Sequence, residues 1–332
     1  MKDLRILWLG KNDINKVSCY SLHFRRELEK HAEVSTYGIN WPHPDLPGGH
    51  PGRWKEMDAR KLVKVFNPDL IYISLYTWDH LDKIDIPKTM FWTDPHGDTP
   101  GNIAWAKRSR IDSILMPYIG RSDKYGIPRY EKMFADSPVK IRFFPFWVDT
   151  EVFKDYGFER DIDLCLLGRT GWRPFRLKIF NYYKDEGGKA GENYKVFYYP
   201  RPKRNWDWPD ERLKKHGFVA RESYAKLLAR CKGYPMPCGV ARYTVPKYFE
   251  GPAAKTLVFS NVPAGAEQCH FVPDETFVHI EPDNFTEKID YYLENDGERK
   301  KIVDAAYKNV HKYHSVKIRV QEFLDHVENE LF

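Results

Sequence analysis

Two groups of side chains in this 332-residue sequence have the types and spacing to bind an anion or move a proton. In the later half, Gly168 closes the apolar run IDLCLL and is followed by Arg169, Arg173 and Arg176. A glycine at a strand end lets backbone N–H groups approach a phosphate, and the planar fork of arginine matches phosphate oxygens. Arg173 and Arg176 read equally well as charges on a solvated helix start. Farther on, in TVPKYFEGPAAKTLVFSN, Lys247 and Glu250 stand three apart and so share one face of a helix. The plainer reading of that pair is a surface ion pair. In the earlier half, TDPHGDTPGN places Asp94, His96 and Asp98 in a Gly/Pro-rich loop directly after the apolar KTMFW. That is the strand end where α/β proteins carry their sites. His96 suits general-base work on a hydroxyl, with Asp94 orienting it or acting as the base itself. The D-x-H-x-D order also fits a metal, though no second ligand cluster accompanies it; a turn held by Asp side chains is the structural alternative. Lys11 and Asn12, after the first apolar run, are further candidates for phosphate or acceptor contacts, and Lys11 reads equally as an exposed charge.

The elements that must carry these residues fall into two halves that begin alike. LRILWLG (Leu4 to Gly10) is a short apolar run ending in Gly, the pattern of a buried parallel strand entering a phosphate-type turn. A helix is predicted over SLHFRRELEKH, where Tyr20, Phe24 and Leu28 recur at helical spacing. VSTYG, a helical ARKLVKVFN, and the apolar DLIYISLY, KTMFWTD, SILMP and KIRFFPF follow, an alternation that predicts a doubly wound α/β domain. Around Pro145, Asp149 and Gly157 the alternation gives way to turn residues. IDLCLLG then repeats the opening motif, followed by helical LKIFNYYKDEG, the strand YKVFYY, helical RESYAKLLARC and a helical stretch from Glu298 to Phe332. The aromatic-basic FYYPRPKRNWDWP (Phe197 to Pro209) fits either a lid or acceptor platform or an irregular insertion.

Composition narrows the classes. At 332 residues, with 42% hydrophobic and 30% charged residues, two soluble globular domains are expected. The N-terminus lacks a signal peptide's apolar stretch and cleavage site, and no apolar run is long enough to span a bilayer, so a cytoplasmic protein is expected. Five scattered cysteines, none in a C-x-x-C pair, suggest neither a disulfide framework nor a zinc knuckle. A net charge of +6 spread along the chain suits an anionic ligand such as a nucleotide diphosphate. It is thinner than the patch of a nucleic-acid reader, so DNA is the least favoured partner.

The segment Phe143 to Gly168 contains Pro145, Val148, Asp149 and Phe153, and resembles the P-x-x-V-D-x-x-x-F signature between the domains of GT-B glycosyltransferases. Thr244 to Asn261 resembles their donor-site helix and the strand after it. The later half resembles the group-1 glycosyltransferases and the spore-maturation-type glycosyltransferase-like branch. The resemblance implies a GT-B fold, two doubly wound Rossmann-like domains facing across a cleft. Residues 1–152, completed by a C-terminal helix at 315–332, would form the acceptor-side domain, and residues 153–314 the donor-binding domain. It implies transfer of a sugar from a nucleoside diphosphate sugar, UDP or GDP in preference, with no bound metal or other cofactor. By resemblance Glu250 takes the position of the glutamate that receives the ribose hydroxyls, Lys247 lies near the diphosphate, and Gly168, Arg169 and Arg173 line the donor site. One departure stands out: the position eight before Glu250, a glutamate in group-1 enzymes, is Arg242. A basic residue near this point is common in the spore-maturation-type branch. Arg242 thus becomes a candidate for a phosphate or an acidic sugar, and a binding protein without catalysis becomes the alternative reading. The acceptor, whether glycan, small molecule, protein or modified DNA base, stays open.

Overall fold

The structure, a computed structural model, describes residues 3–10, 19–38, 41, 58–74, 78–93, 99–119, 134–171, 173–184, 193–199, 219–239 and 242–332. The chain divides into two units. One comprises Met1–Ile14, Ser21–Pro145 and Arg319–Phe332, the other Asn15–Tyr20 and Phe146–Ile318.

The first unit is built on the strands β1 (Arg5–Leu9), β2 (Glu33–Tyr37), β3 (Leu70–Ser74), β4 (Lys88–Phe91), β5 (Ser113–Met116) and β6 (Lys140–Phe143). They pair in parallel in the order β2-β1-β3-β4-β5-β6. Strand composition follows position in the sheet. The inner β3, LIYIS, is buried throughout, whereas the outer β2, EVSTY, and β6, KIRF, are partly exposed. The Asp69 carboxylate accepts from the backbone N–H of Arg5 and from its guanidinium, tying the starts of β1 and β3. Helix α1 (Tyr20–Leu28) buries Phe24 and Leu28, one turn apart. Helix α2 (Ala59–Phe66) begins where the Asp58 side chain accepts from the Arg60 N–H and ends at Asn67 in the left-handed conformation. Helix α3 (Thr99–Arg108) leads into β5.

The second unit has β7 (Ile162–Leu167), β8 (Val196–Tyr199), β9 (Cys231–Pro235), β10 (Leu257–Ser260) and β11 (Val278–His279), again all parallel, in the order β11-β10-β9-β7-β8. Its helices among the described residues are α4 (Pro174–Lys184), α5 (Arg221–Arg230), α6 (Lys247–Ala253), α7 (Phe285–Glu294) and α8 (Asp296–Tyr313). Leu164, Leu166, Phe180, Leu257, Phe259 and Ile289 meet in one core cluster. Burying each such side chain contributes roughly 1.5–3 kcal/mol. Gly251 lets α6 lie close to the sheet, because a Cβ there would stand 2.9 Å from the Val258 side chain. Residues 197–199 of the aromatic-basic segment form half-buried strand β8, and the rest of that segment lies outside the described residues.

The helical pattern predicted from Glu298 to Phe332 is two helices, α8 and α9 (Val316–Glu330). Between them Val148 donates to the His314 carbonyl at 3.0 Å and accepts from the Val316 N–H at 2.9 Å. A bridge from distant backbone takes the groups that a continuous helix would have used internally. Phe323 of α9 packs edge-on against Phe24 and Tyr72 of the first unit. His326, also on α9, is buried, with its Nε2 2.9 Å from Ser113 Oγ and its Nδ1 3.2 Å from Glu330. Burial pushes this imidazole below its ordinary value of 6.5, against the opposing pull of Glu330 and with Arg142 and Lys140 adding to the depression. As pH falls, the unfolded chain therefore takes up the proton first. The stabilisation tied to neutral His326 is complete above about pH 6.5 and is lost as the pH drops toward the folded-state value. The melting temperature is expected to fall between about pH 7 and pH 5, and to fall less in His326→Gln. Parallel pH profiles of the two proteins check this; identical slopes would contradict it.

Candidate functional site

Strand β7 is buried to its C-terminal end and stops at Gly168, whose φ of +105° is open to glycine but strained for other residues. Lys247, the first residue of α6, is half-buried and extends to this strand end. Its Nζ donates to the Leu167 carbonyl at 3.2 Å and lies 5.5 Å from the centre of the Tyr234 ring. A Cβ on residue 168 would stand 2.7 Å from that Nζ and 3.6 Å from Nη1 of Arg176. Two cations from different helices therefore flank one glycine at the C-terminal edge of a parallel sheet. Backbone N–H groups and fixed positive charge at such an edge make an anion site. Gly168→Ala is expected to cost about 1–3 kcal/mol of stability through the strained φ and to displace the Lys247 amine. Denaturant titration beside an anion-binding measurement checks both effects; a neutral substitution would contradict the geometry.

Arg169 is exposed in the loop after Gly168, and Arg173 is half-buried just before α4. The Arg173 Nε and Cγ lie 3.6 Å from where a Cβ of Gly239 would sit. Arg242 has a φ of +50°, the left-handed region that arginine rarely adopts. It is held there on both sides: its N–H donates to Gly239 at 2.8 Å, and its carbonyl accepts from Ala264 at 2.6 Å. Burial pushes the nearby Cys238 thiol up to about 11, with the Arg242 charge pulling the other way. Gly168, Lys247, Arg173 and Arg242 are thus grouped around the ends of β7 and β9.

Glu250 is buried and not on a solvated helix face, which removes the surface ion-pair reading. Its Oε2 accepts from the Tyr224 hydroxyl at 3.1 Å, and that hydroxyl lies 3.5 Å from the hydroxyl of Tyr234. Burial first, then the neighbouring phenol and carboxylate, pushes the Tyr224 hydroxyl well above its ordinary pKa, so it stays protonated and remains a donor. Lys247 and Glu250, three apart on α6, both reach the surroundings of Tyr234 and border one polar cluster.

The sequence left Arg176 between two readings and did not single out Tyr224. Arg176 is buried, whereas a solvated helix start was one reading of it. The signal was available: with Ile179, Phe180 and Tyr183 it forms the i, i+3, i+4, i+7 stripe that α4 buries. Tyr224 likewise falls on the buried face of α5 with Ala225, Leu227 and Leu228. Lys11, Asn12, Asp94, His96 and Asp98 lie outside the described residues. Among the described residues no three His, Cys, Asp or Glu side chains group as a metal site, and no helix is long and apolar enough to cross a membrane.

Residues 186–325 match the sequence model of a family described as glycosyl transferase-like. No curated protein matches the chain in sequence. Among solved structures, sucrose-phosphate synthase from Thermosynechococcus elongatus superposes with a TM-score of 0.66 at 10% identity, over 98% of each chain. HepE from Anabaena, in complex with UDP and glucose, gives 0.60 at 12% identity over 98% of this chain and 99% of the other. A putative UDP-N-acetylglucosamine 2-epimerase from Listeria monocytogenes gives 0.55 at 10% identity, over 99% and 97%. Likeness at these identities is a likeness of fold.

Proposed function

We propose that this protein, whose fold is GT-B and whose residues 186–325 match the model of a glycosyl transferase-like family, moves a sugar from a nucleoside diphosphate sugar to an acceptor hydroxyl. The observation that carries the reading is the Lys247 ammonium held over Gly168 at the end of β7, with the buried Glu250 one helical turn away. A nucleotide-sugar donor needs three things from a protein: a neutralised diphosphate, a held ribose, and charge stabilisation as the leaving phosphate departs. Lys247, with Arg169 and Arg173, supplies the first and third. Glu250 supplies the second, because a carboxylate can accept from both ribose hydroxyls. Fixed positive charge where negative charge develops in the transition state is usually the largest electrostatic contribution to such a reaction.

Arg242 then borders the transferred sugar or its phosphate. On the acceptor side, His96 or Asp94 takes the hydroxyl proton, and Lys11, Asn12 and Asp98 contact acceptor or phosphate. In this reading the transfer uses no metal ion. UDP-sugars are the first donors to try, since HepE, the neighbour from Anabaena, was solved with UDP and with UDP-glucose.

Incubation with UDP-, GDP-, ADP- and dTDP-sugars tests the reading. Release of a nucleoside diphosphate that is lost in Glu250→Ala supports it. Tight nucleotide-sugar binding without turnover under a panel of acceptors would make this a binding protein of the same fold, and no binding at all would sink both.

A further inference from the structure

Three arginines are buried among the described residues: Arg176, Arg299 and Arg319. Two of them have a carboxylate beside them. Arg299 pairs with Asp296, and Arg319 pairs with Glu322. Arg176 does not. Its Nη1 donates to the Arg169 carbonyl at 3.3 Å and its Nη2 to the Pro237 carbonyl at 2.9 Å. Its Nε is buried with no hydrogen-bond partner among the described residues. Among the described residues, the side chains that act on it most strongly are a second arginine, Arg173, and the neutral phenol and thiol groups of Tyr234, Tyr248 and Cys238, none of them a carboxylate. Burial pulls its pKa down, yet a guanidinium keeps its proton in a protein, so the charge stays.

A buried charge normally persists because an opposite charge or a complete set of hydrogen bonds offsets its lost hydration. Two carbonyls and an unpartnered Nε are an incomplete set. The position of this cation says what balances its charge, since its Nη1 lies 3.6 Å from the Cβ position at Gly168, where the Lys247 Nζ also converges. Both cations act across a backbone that carries no side chain between them and an arriving ligand. The same guanidinium joins the loop after β7 to the loop after β9 through Arg169 and Pro237.

Resting on the donor-site reading above, we propose that Arg176 is the fixed buried cation of that site: its charge is balanced when a diphosphate-type anion sits at Gly168, and that charge acts on the anion across the Gly168 loop without contact between the two. Charge, and not the forked geometry of arginine, is the property the site requires.

Inorganic pyrophosphate serves as the probe, titrated calorimetrically into wild type, Arg176→Met and Arg176→Lys, with the unfolding transition of each recorded. Arg176→Met is expected to weaken pyrophosphate binding at least tenfold, and Arg176→Lys, which keeps the charge, to stay within about threefold of wild type. Should Arg176→Met fail to fold, Arg176→Gln reads the same loss while keeping a donor for the Pro237 carbonyl. Equal losses in the Lys and Met variants would show a structural clamp and overturn the proposal, as would binding within twofold of wild type in both. In either case wild type still binds pyrophosphate and the donor-site reading stands. Wild type that does not bind pyrophosphate overturns that reading and the proposal together.

Discussion

Lys247→Ala is expected to lower kcat/KM for sugar transfer by roughly 10²–10³-fold while leaving the fold intact, the size expected when one fixed charge is removed from a developing anion. The side chain starts on α6 but spends its charge at the end of β7, donating to Leu167 over Gly168. Helix α6 does not depend on it, because the buried Tyr248, Phe249 and Ala253 hold the helix to the sheet. The melting temperature should therefore move little. A loss confined to KM would place Lys247 in ground-state binding alone, and an unchanged kcat/KM would remove it from the site.

The second large effect is expected at Glu250. A hydrogen bond to a charged group contributes about 1.5–3 kcal/mol, and a carboxylate holding two ribose hydroxyls makes two of them. Glu250→Ala should then weaken nucleotide binding by roughly 10²-fold or more. It should also abolish discrimination between UDP and its 2′-deoxy analogue. The same substitution strands the buried Tyr224 hydroxyl, which donates to Glu250 at 3.1 Å. That adds about 1–3 kcal/mol of lost stability. Replacing both partners, Glu250→Ala with Tyr224→Phe, should recover part of the stability and none of the binding. Calorimetric titration with the two nucleotides, beside denaturant melts of the three variants, separates these outcomes. A Glu250→Ala protein that still prefers the ribonucleotide would contradict the assigned role.

The fold was legible where burial on both faces leaves a continuous apolar run. LRILWLG and IDLCLLG each give a strand ending in glycine, β1 and β7, because a central parallel strand has no solvated side to mark with polar residues. Local periodicity was less informative where distant backbone intervenes. The helical pattern through Glu298 to Phe332 does not show the break at His314 and Ser315, which Val148 imposes from far away in sequence. At the site, spacing alone put Lys247 and Glu250 on one helix face, and Gly168 at a strand end. It did not tell that Glu250 meets Tyr224, 26 positions earlier, or that Arg176 bonds to a carbonyl 61 positions away. Partner choice for a buried polar group is a property of the tertiary arrangement. What local sequence does carry is the burial itself, since Arg176 sits on the apolar stripe of α4.

The most direct test is a crystal structure of the protein grown with a saturating nucleoside diphosphate, UDP first. The diphosphate is expected against Gly168, within hydrogen-bond reach of the Lys247 ammonium, and the ribose hydroxyls on the Glu250 carboxylate. A nucleotide bound elsewhere, or a diphosphate that leaves Lys247 on the Leu167 carbonyl and makes no contact with it, would contradict the donor site.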